Sequence, residues 1–331
     1  MNSFMVPQTI VYLIFVTFFQ LFFVVVNASI FFFIASTVLF LSLILIELNS
    51  LKKEKQGLIN QLSVNSHDPT MDLQTAKRVQ EALLSIDPPE SDRIEIVRRC
   101  IPASTLGGDF YTFVNKTVGK ISHQKNQKGI VEFVDQQDNI IGVTVGDVAG
   151  HGVSSALVMA LTSGLLGRIG LNNRSPAIIL QRANLDIQKF ISQSQISHVT
   201  AFYSTINLDE MTLTYSSAGH PPGIILRSDL SYELLEVEGI FMGMYEDEVY
   251  TEKTVKLQPG DRLLLYTDGI VETVNSNREP FGIQRLIDLA VIHWKKTSDE
   301  ILELVFEQLY EYREGNTQRD DQTLVIVDIK K

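Results

Sequence analysis

The chain has 331 residues, an apolar fraction of 45% and a formal net charge of −11 at neutral pH, enough for one large domain or two modest ones once any non-globular part is set aside. Such an acidic balance cannot neutralise a phosphate backbone over a broad surface, which excludes a nucleic-acid binder and leaves a protein or small molecule as partner. The single cysteine, Cys100, excludes an internal disulfide and a thiolate metal cluster and suits a reducing compartment.

No Asp, Glu, Lys, Arg or His precedes Glu47. One membrane span takes about 20 apolar residues, so residues 1–48 are expected to form a transmembrane hairpin of two spans turning at Asn27-Ala28-Ser29. A basic n-region is missing, which argues against a cleaved signal peptide. Lys52, Lys53 and Lys55 follow the second span, and the positive-inside rule then keeps the remaining chain cytoplasmic. The expectation is a multi-pass protein of the cytoplasmic membrane with both ends inside.

Residues 49–87 read as a helical neck. Leu48, Leu51, Lys55, Leu58 and Leu62 are spaced alternately by three and four, the seam of a short coiled coil that pairs two chains into a homodimer, or equally one face of a solvated helix. Asp68-Pro69 supplies an N-cap and a proline at the first helical position, and Thr70 to Ser85 reads as a second helix ended by Pro88-Pro89.

Residues 88–331 form the remaining domain. Strands are predicted at Ile94 to Arg98, Gly129 to Val134, Ile140 to Val148, His198 to Leu208, Met211 to Ser217, Gly223 to Arg227, Arg262 to Thr267 and Thr323 to Ile329. Helices are predicted at Val153 to Ile169, Pro176 to Ser192, Gly282 to Trp294 and Ser298 to Arg313. Strands and helices are grouped rather than strictly alternating, which points to an α+β fold of antiparallel sheets covered by helices.

Four motifs set acidic residues at strand ends or in tight glycine turns: Gly107-Gly108-Asp109-Phe110, Gly146-Asp147-Val148-Ala149-Gly150-His151-Gly152, Thr267-Asp268-Gly269 and Asp320-Asp321-Gln322-Thr323. Asp-Gly alone is a turn signal. Four such carboxylates in order suit a hard divalent cation that takes oxygen ligands and keeps several waters.

On these motifs, together with SSAGHPPGIIL, GDRLLLYTDGIVE, PFGIQRL and RDDQTLVIV, the stretch from about Gln80 to Ile329 resembles the PPM-type (protein phosphatase 2C-like) phosphatases of the bacterial SpoIIE and RsbU branch. The resemblance implies an α-β-β-α sandwich and a site for two Mn²⁺ or Mg²⁺ ions at one edge of it. It implies that Asp147 bridges both metals with the Val148 carbonyl beside it, that Asp268 and Asp320 complete the second metal, and that Asp109 supports the first through water. It further implies a water held between the cations that attacks phosphorus without a phosphoenzyme, with a phosphoserine or phosphothreonine on a STAS-type anti-anti-sigma regulator as substrate.

Three features depart from the family pattern. Thr112 stands where a second Asp is usual, a basic stretch from Lys116 to Lys128 lengthens the interval between Asp109 and Asp147, and His151 divides evenly between general acid and helix-start residue. His220 matches a family motif without an assigned step. The other histidines, His67, His123, His198 and His293, lack partners at ligand spacing. A diguanylate cyclase fails because Phe110 replaces the second carboxylate of its turn, and a sensor kinase fails for want of a nucleotide-binding glycine box. A phosphatase fold without turnover is the remaining alternative, and four retained Asp positions weigh against it.

Overall fold

The computed structural model describes residues 13, 15–21, 45–53, 55, 69–115, 120–125, 131–136, 139–192 and 196–330. The chain divides into two compact units, Met1–Pro69 and Thr70–Lys331. In the first, residues 13, 15–21, 45–53 and 55 are helical, and Leu48, Leu51 and Lys55 are exposed. The remainder of the expected hairpin, with its turn, and the seam positions Leu58 and Leu62 lie outside the described residues.

The second unit is a sandwich. Helix α1 (Pro69–Leu84) leads into β1 (Ile94–Ile101), β2 (Phe110–Asn115), β3 (Lys120–Lys125), β4 (Val131–Gln136) and β5 (Ile140–Val148). Helices α2 (Val153–Asn172) and α3 (Pro176–Ile191) follow, then β6 (Val199–Asn207), β7 (Thr212–Ala218), β8 (Gly223–Leu226), β9 (Tyr232–Leu235), β10 (Lys253–Lys256) and β11 (Arg262–Tyr266). The chain ends with α4 (Asp268–Val271), α5 (Gly282–Ile292), α6 (Ser298–Tyr312) and β12 (Gln322–Ile329). One antiparallel sheet runs β1-β12-β11-β8-β9 and the other β10-β7-β6-β5-β2, with β3-β4 a separate hairpin.

Strand periodicity sorts the side chains into three apolar layers. Val143, Val145, Phe202, Leu263, Leu265, Val325 and Val327 fill the space between the sheets. The alternate residues Leu264, Tyr266, Leu324 and Ile326 face outward onto α5 and α6, through Leu286, Ile301 and Val305. On the other side Ala201, Tyr203 and Val148 meet Met159, Leu166, Leu180 and Ile187 of α2 and α3. Central strands buried on both faces explain the unbroken apolar runs of β11 and β12.

Local signals set the helix starts. Ser175 caps α3, accepting from Ile178 N with Pro176 in the first turn, and Thr297 with Glu300 forms a capping box on α6; each cap stabilises by about 1 kcal/mol. Among the described residues α2 is long and apolar enough to cross a membrane. Its buried stripe Ser155, Met159, Thr162, Leu166 and Gly170 instead follows helical spacing and packs on the sheet.

Five elements were not foreseen in the sequence. β2 starts inside the GGDF motif, where glycines signal a turn. β9 and β10 are largely exposed strands at the edges of their sheets, so they carry no apolar alternation. α4 is one turn long. β3 lies inside the basic stretch from Lys116 to Lys128, paired from Lys120↔Gln136 to Lys125↔Val131. The second neck helix, α1, belongs with the sandwich: Gln80 is buried, and Leu84 packs against the core.

Candidate active site

Sheet pairing gathers the four motifs at one end of the sandwich. The register Phe110↔Gly146 sets Asp109, just before β2, beside Asp147 and Val148 at the end of β5. Val148 N donates to Gly108 O at 3.3 Å. A side chain at Gly108 would strike the Val148 carbonyl and the Asp147 carboxylate, so the glycine is needed for this approach. In the other sheet, Tyr266↔Leu324 brings Asp268, the first residue of α4, next to Asp320 and Asp321 ahead of β12. Gly269 sits against the Asp321 carbonyl with no room for a Cβ.

Asp109 joins the two sheets. Its Oδ2 accepts from Thr267 Oγ1 at 2.7 Å and from Thr323 Oγ1 at 2.7 Å, while its buried Oδ1 has no donor among the described residues and its carboxyl approaches that of Asp147. Burial, then the charges of Asp147 and Asp321, push the Asp109 carboxyl well above the ordinary range. Asp147 is pushed up to about 7 by burial and then by Asp268, Asp320 and Asp321. Burial is also the largest cause of the upward shifts at Asp268 and Asp320. Carboxylates that raise one another in this way, with a buried oxygen lacking a donor, fit a divalent cation as the missing counter-charge. Among the described residues no three His, Cys, Asp or Glu side chains close on one point. A cation that retains several waters does not require them to.

The neighbouring Asp321, which sequence reasoning left without a role, holds the loop of Asp109. Its Oδ1 accepts from Ala103 N at 2.7 Å, and its Oδ2 from Gly108 N at 2.6 Å and Asp109 N at 3.3 Å. The adjacent acidic pair was the available signal, but not which member faces inward. Gln80 of α1 was missed too: its Nε2 donates to Gly107 O at 2.7 Å and its Oε1 accepts from Gly107 N at 3.1 Å. Nothing in a single helical glutamine announces this.

His220 is buried and its imidazole is held neutral, pushed down to about 3 by burial. Its ring nitrogens reach Thr200 Oγ1 at 2.8 Å and Tyr266 O at 3.0 Å. His151 is exposed between Gly150 and Gly152 (φ +97° and +86°) ahead of α2. Thr112 is buried and its hydroxyl neighbours Gly167 of α2. Cys100 lies near Asp109, and burial with the adjacent carboxylates pushes its thiol far up, so it is no thiolate nucleophile. His198 stacks on Phe241 with ring centroids 4.4 Å apart.

The sequence model of the family described as "Stage II sporulation protein E (SpoIIE)" matches residues 137–330. The chain is 26% identical over 259 residues to the phosphoserine phosphatase RsbU of Bacillus subtilis, covering 77% of this chain and 69% of the relative. It is 24% identical over 261 residues to the phosphoserine phosphatase RsbP of the same organism, covering 78% of this chain and 58% of the relative. The SiaA-PP2C domain of Pseudomonas aeruginosa superposes with a TM-score of 0.61 at 22% identity over 78% of this chain and 95% of that one. The SpoIIE phosphatase domain with a regulatory fragment, from Bacillus subtilis, gives 0.54 at 20% identity over 73% of this chain and 64% of that one. At these identities the structural likenesses establish the fold, a PP2C-like pair of antiparallel sheets with flanking helices.

Proposed function

We propose, from the premise that this chain belongs to the stage II sporulation protein E (SpoIIE) family, that it is a metal-dependent serine/threonine phosphatase acting on a phosphorylated regulatory protein. The observation that carries the reading is the Asp109 carboxyl, anchored through Oδ2 by a threonine from each of two strands with Oδ1 left without a donor, beside Asp147. That arrangement orients an acceptor toward a cation or its water.

In this reading Asp147 with the Val148 carbonyl would hold one ion and Asp147 with Asp268 and Asp320 the other, and Asp109 would support the first through water. Two Mn²⁺ or Mg²⁺ ions bound there supply a water of lowered pKa and positive charge for the phosphoryl oxygens. The residues do the positioning. Thr267 and Thr323 fix the Asp109 carboxyl, and Asp321 fixes its backbone. Asp109 and Asp321 are buried, Asp147 and Asp268 half-buried and Asp320 exposed, so the cluster is rooted in the core and open to solvent on the Asp320 side.

The relatives named phosphoserine phosphatases support a phosphoserine as substrate, and the motif resemblance adds phosphothreonine and a STAS-type anti-anti-sigma regulator as the protein that carries it. The apolar segment 1–48 is read as a two-span anchor in the cytoplasmic membrane, the segment that follows it as a neck able to pair two chains, and the catalytic unit as cytoplasmic. The test is hydrolysis of an aryl phosphate and of such a phosphoprotein with Mn²⁺ or Mg²⁺. Undiminished turnover in EDTA overturns the two-metal reading.

A further inference from the structure

A cleft of about 280 Å³ opens beside the acidic cluster, lined by Gly269, Glu272 and Asp320 together with Arg313 and Arg319. The polar groups of its floor are spent internally. Thr273 Oγ1 donates to Gly269 O at 2.7 Å and accepts from Gln322 Nε2 at 2.7 Å. Gln318 Nε2 donates to Ile101 O at 2.8 Å and Asp320 O at 2.9 Å.

The two guanidinium groups are not spent. Arg313 Nε is buried without a hydrogen-bond partner, and its guanidinium carbon lies 5.5 Å from the Tyr310 ring centroid. Arg319 is exposed and forms no ion pair or side-chain hydrogen bond among the described residues. Arg78, Arg168, Arg182 and Arg278 share that exposed, unpaired state among the described residues; Arg319 is set apart by lining the cleft next to Asp320. Arg93, Arg98, Arg99, Arg227 and Arg262 each have a carboxylate partner. Glu272 and Asp320 also line the cleft, and the Glu272 charge acts on Asp268 of the acidic cluster. Arg313 and Arg319 add planar donors to that lining that match a carboxylate.

We propose that Arg313 and Arg319 form a subsite for an acidic side chain flanking the phosphoresidue of the substrate. The inference rests on the phosphatase reading above and adds a substrate preference to it. A phosphoryl group at the ions that Asp147 and Asp320 would hold brings the neighbouring residues of an extended segment past this cleft, which Asp320 also lines. A carboxylate entering it accepts on both oxygens with opposite charge, an amide accepts on its one oxygen without that charge, and an ammonium has no acceptor at all.

The test uses the full chain with Mn²⁺ and three phosphoserine peptides that differ by Glu, Gln or Lys at positions next to the phosphoserine, with an aryl phosphate as reference for the native protein. The readout is the ratio of kcat/KM between peptides, which a general loss of activity does not move. The native protein is expected to favour the Glu peptide over the Gln peptide by about tenfold, mainly through KM, as for a hydrogen bond to a charged group. The preference should shrink in high salt. Arg319→Ala should bring the ratio close to one, Arg319→Lys should restore part of it, and Arg319→Glu should invert the order in favour of the Lys peptide. A native protein that hydrolyses the aryl phosphate yet treats the peptides alike overturns the subsite alone, as does an Arg319→Glu ratio equal to the native one. A native protein inert toward every compound overturns the phosphatase reading and this inference with it.

Discussion

His220 Nε2 lies 3.0 Å from the backbone carbonyl of Tyr266, two residues before Asp268. A carbonyl can only accept, so Nε2 carries the proton and Nδ1 accepts from Thr200 Oγ1, 2.8 Å away. The Thr200 hydroxyl oxygen in turn accepts from Asp147 N at 3.3 Å. A neutral imidazole thus ties the strand end that carries Asp147 to the strand end that carries Asp268, across the two sheets.

His220→Ala is therefore expected to leave Tyr266 O and Thr200 without their partner, to cost about 1–3 kcal/mol of stability, and to raise the Mn²⁺ concentration for half-maximal activity. Thermal melting and metal titration of activity check both parts. An unchanged metal requirement would reduce His220 to a packing residue.

Metal binding should couple to pH with a definite sign. Asp147 is pushed from 3.8 up to about 7, so between those values the metal-free folded state holds more protons than the unfolded chain. Its contribution to stability falls as pH rises through that window. His220, pushed down from 6.5 to about 3, contributes with the opposite sign, but it does so with or without metal. The difference in melting temperature with and without Mn²⁺ isolates the carboxylates, since a cation displaces their protons. That difference should grow from pH 5 to pH 7.5 and flatten in Asp147→Asn, which should also lose about 100-fold or more in rate.

Asp321→Asn keeps the size of the side chain but replaces one acceptor oxygen by an NH₂ group facing a backbone N–H. Gly108 N or Ala103 N then loses its partner. We expect about 1–3 kcal/mol of destabilisation and at least a tenfold loss of kcat, because the Asp109 loop is no longer held. Native-like turnover by the folded variant would show that Asp321 does not position Asp109.

Gln80→Ala removes both hydrogen bonds from α1 to Gly107. If α1 transmits a state of the preceding helix to the site, the variant should change kcat while Lys55→Leu, which strengthens the apolar seam, no longer alters the rate in that background. Rates and sedimentation of the single and double variants decide this, and simple additivity of the two effects would break the link.

Tyr203→Phe is expected to be neutral or stabilising by up to about 1 kcal/mol. The Tyr203 hydroxyl is buried without a partner, and removing an unsatisfied hydroxyl relieves its desolvation. Chemical denaturation provides the measurement, and a loss of more than about 1 kcal/mol would mean that the hydroxyl is bonded in solution.

Much of the architecture was legible in the sequence because its causes are local. Ser175-Pro176 and Thr297 with Glu300 announce helix starts, unbroken apolar runs announce the central strands, and glycines beside Asp109, Asp147 and Asp268 announce places where backbone and carboxylate must come close. Those signals were enough to group four acidic motifs at strand ends. The exposed strand β10, with Lys253, Thr254 and Lys256, sends no such signal, since its pairing with β7 needs backbone groups and no apolar face. What only the tertiary structure decided is which polar group each site residue meets. Thr323 and Asp109 are 214 positions apart in the chain, Asp321 and Gly108 are 213 apart, and His220 reaches Tyr266 from the loop between β7 and β8, where the chain passes from one sheet to the other. Such partners are chosen by sheet order and register, which bring distant segments to hydrogen-bond distance, and no short-range pattern in the sequence records that choice.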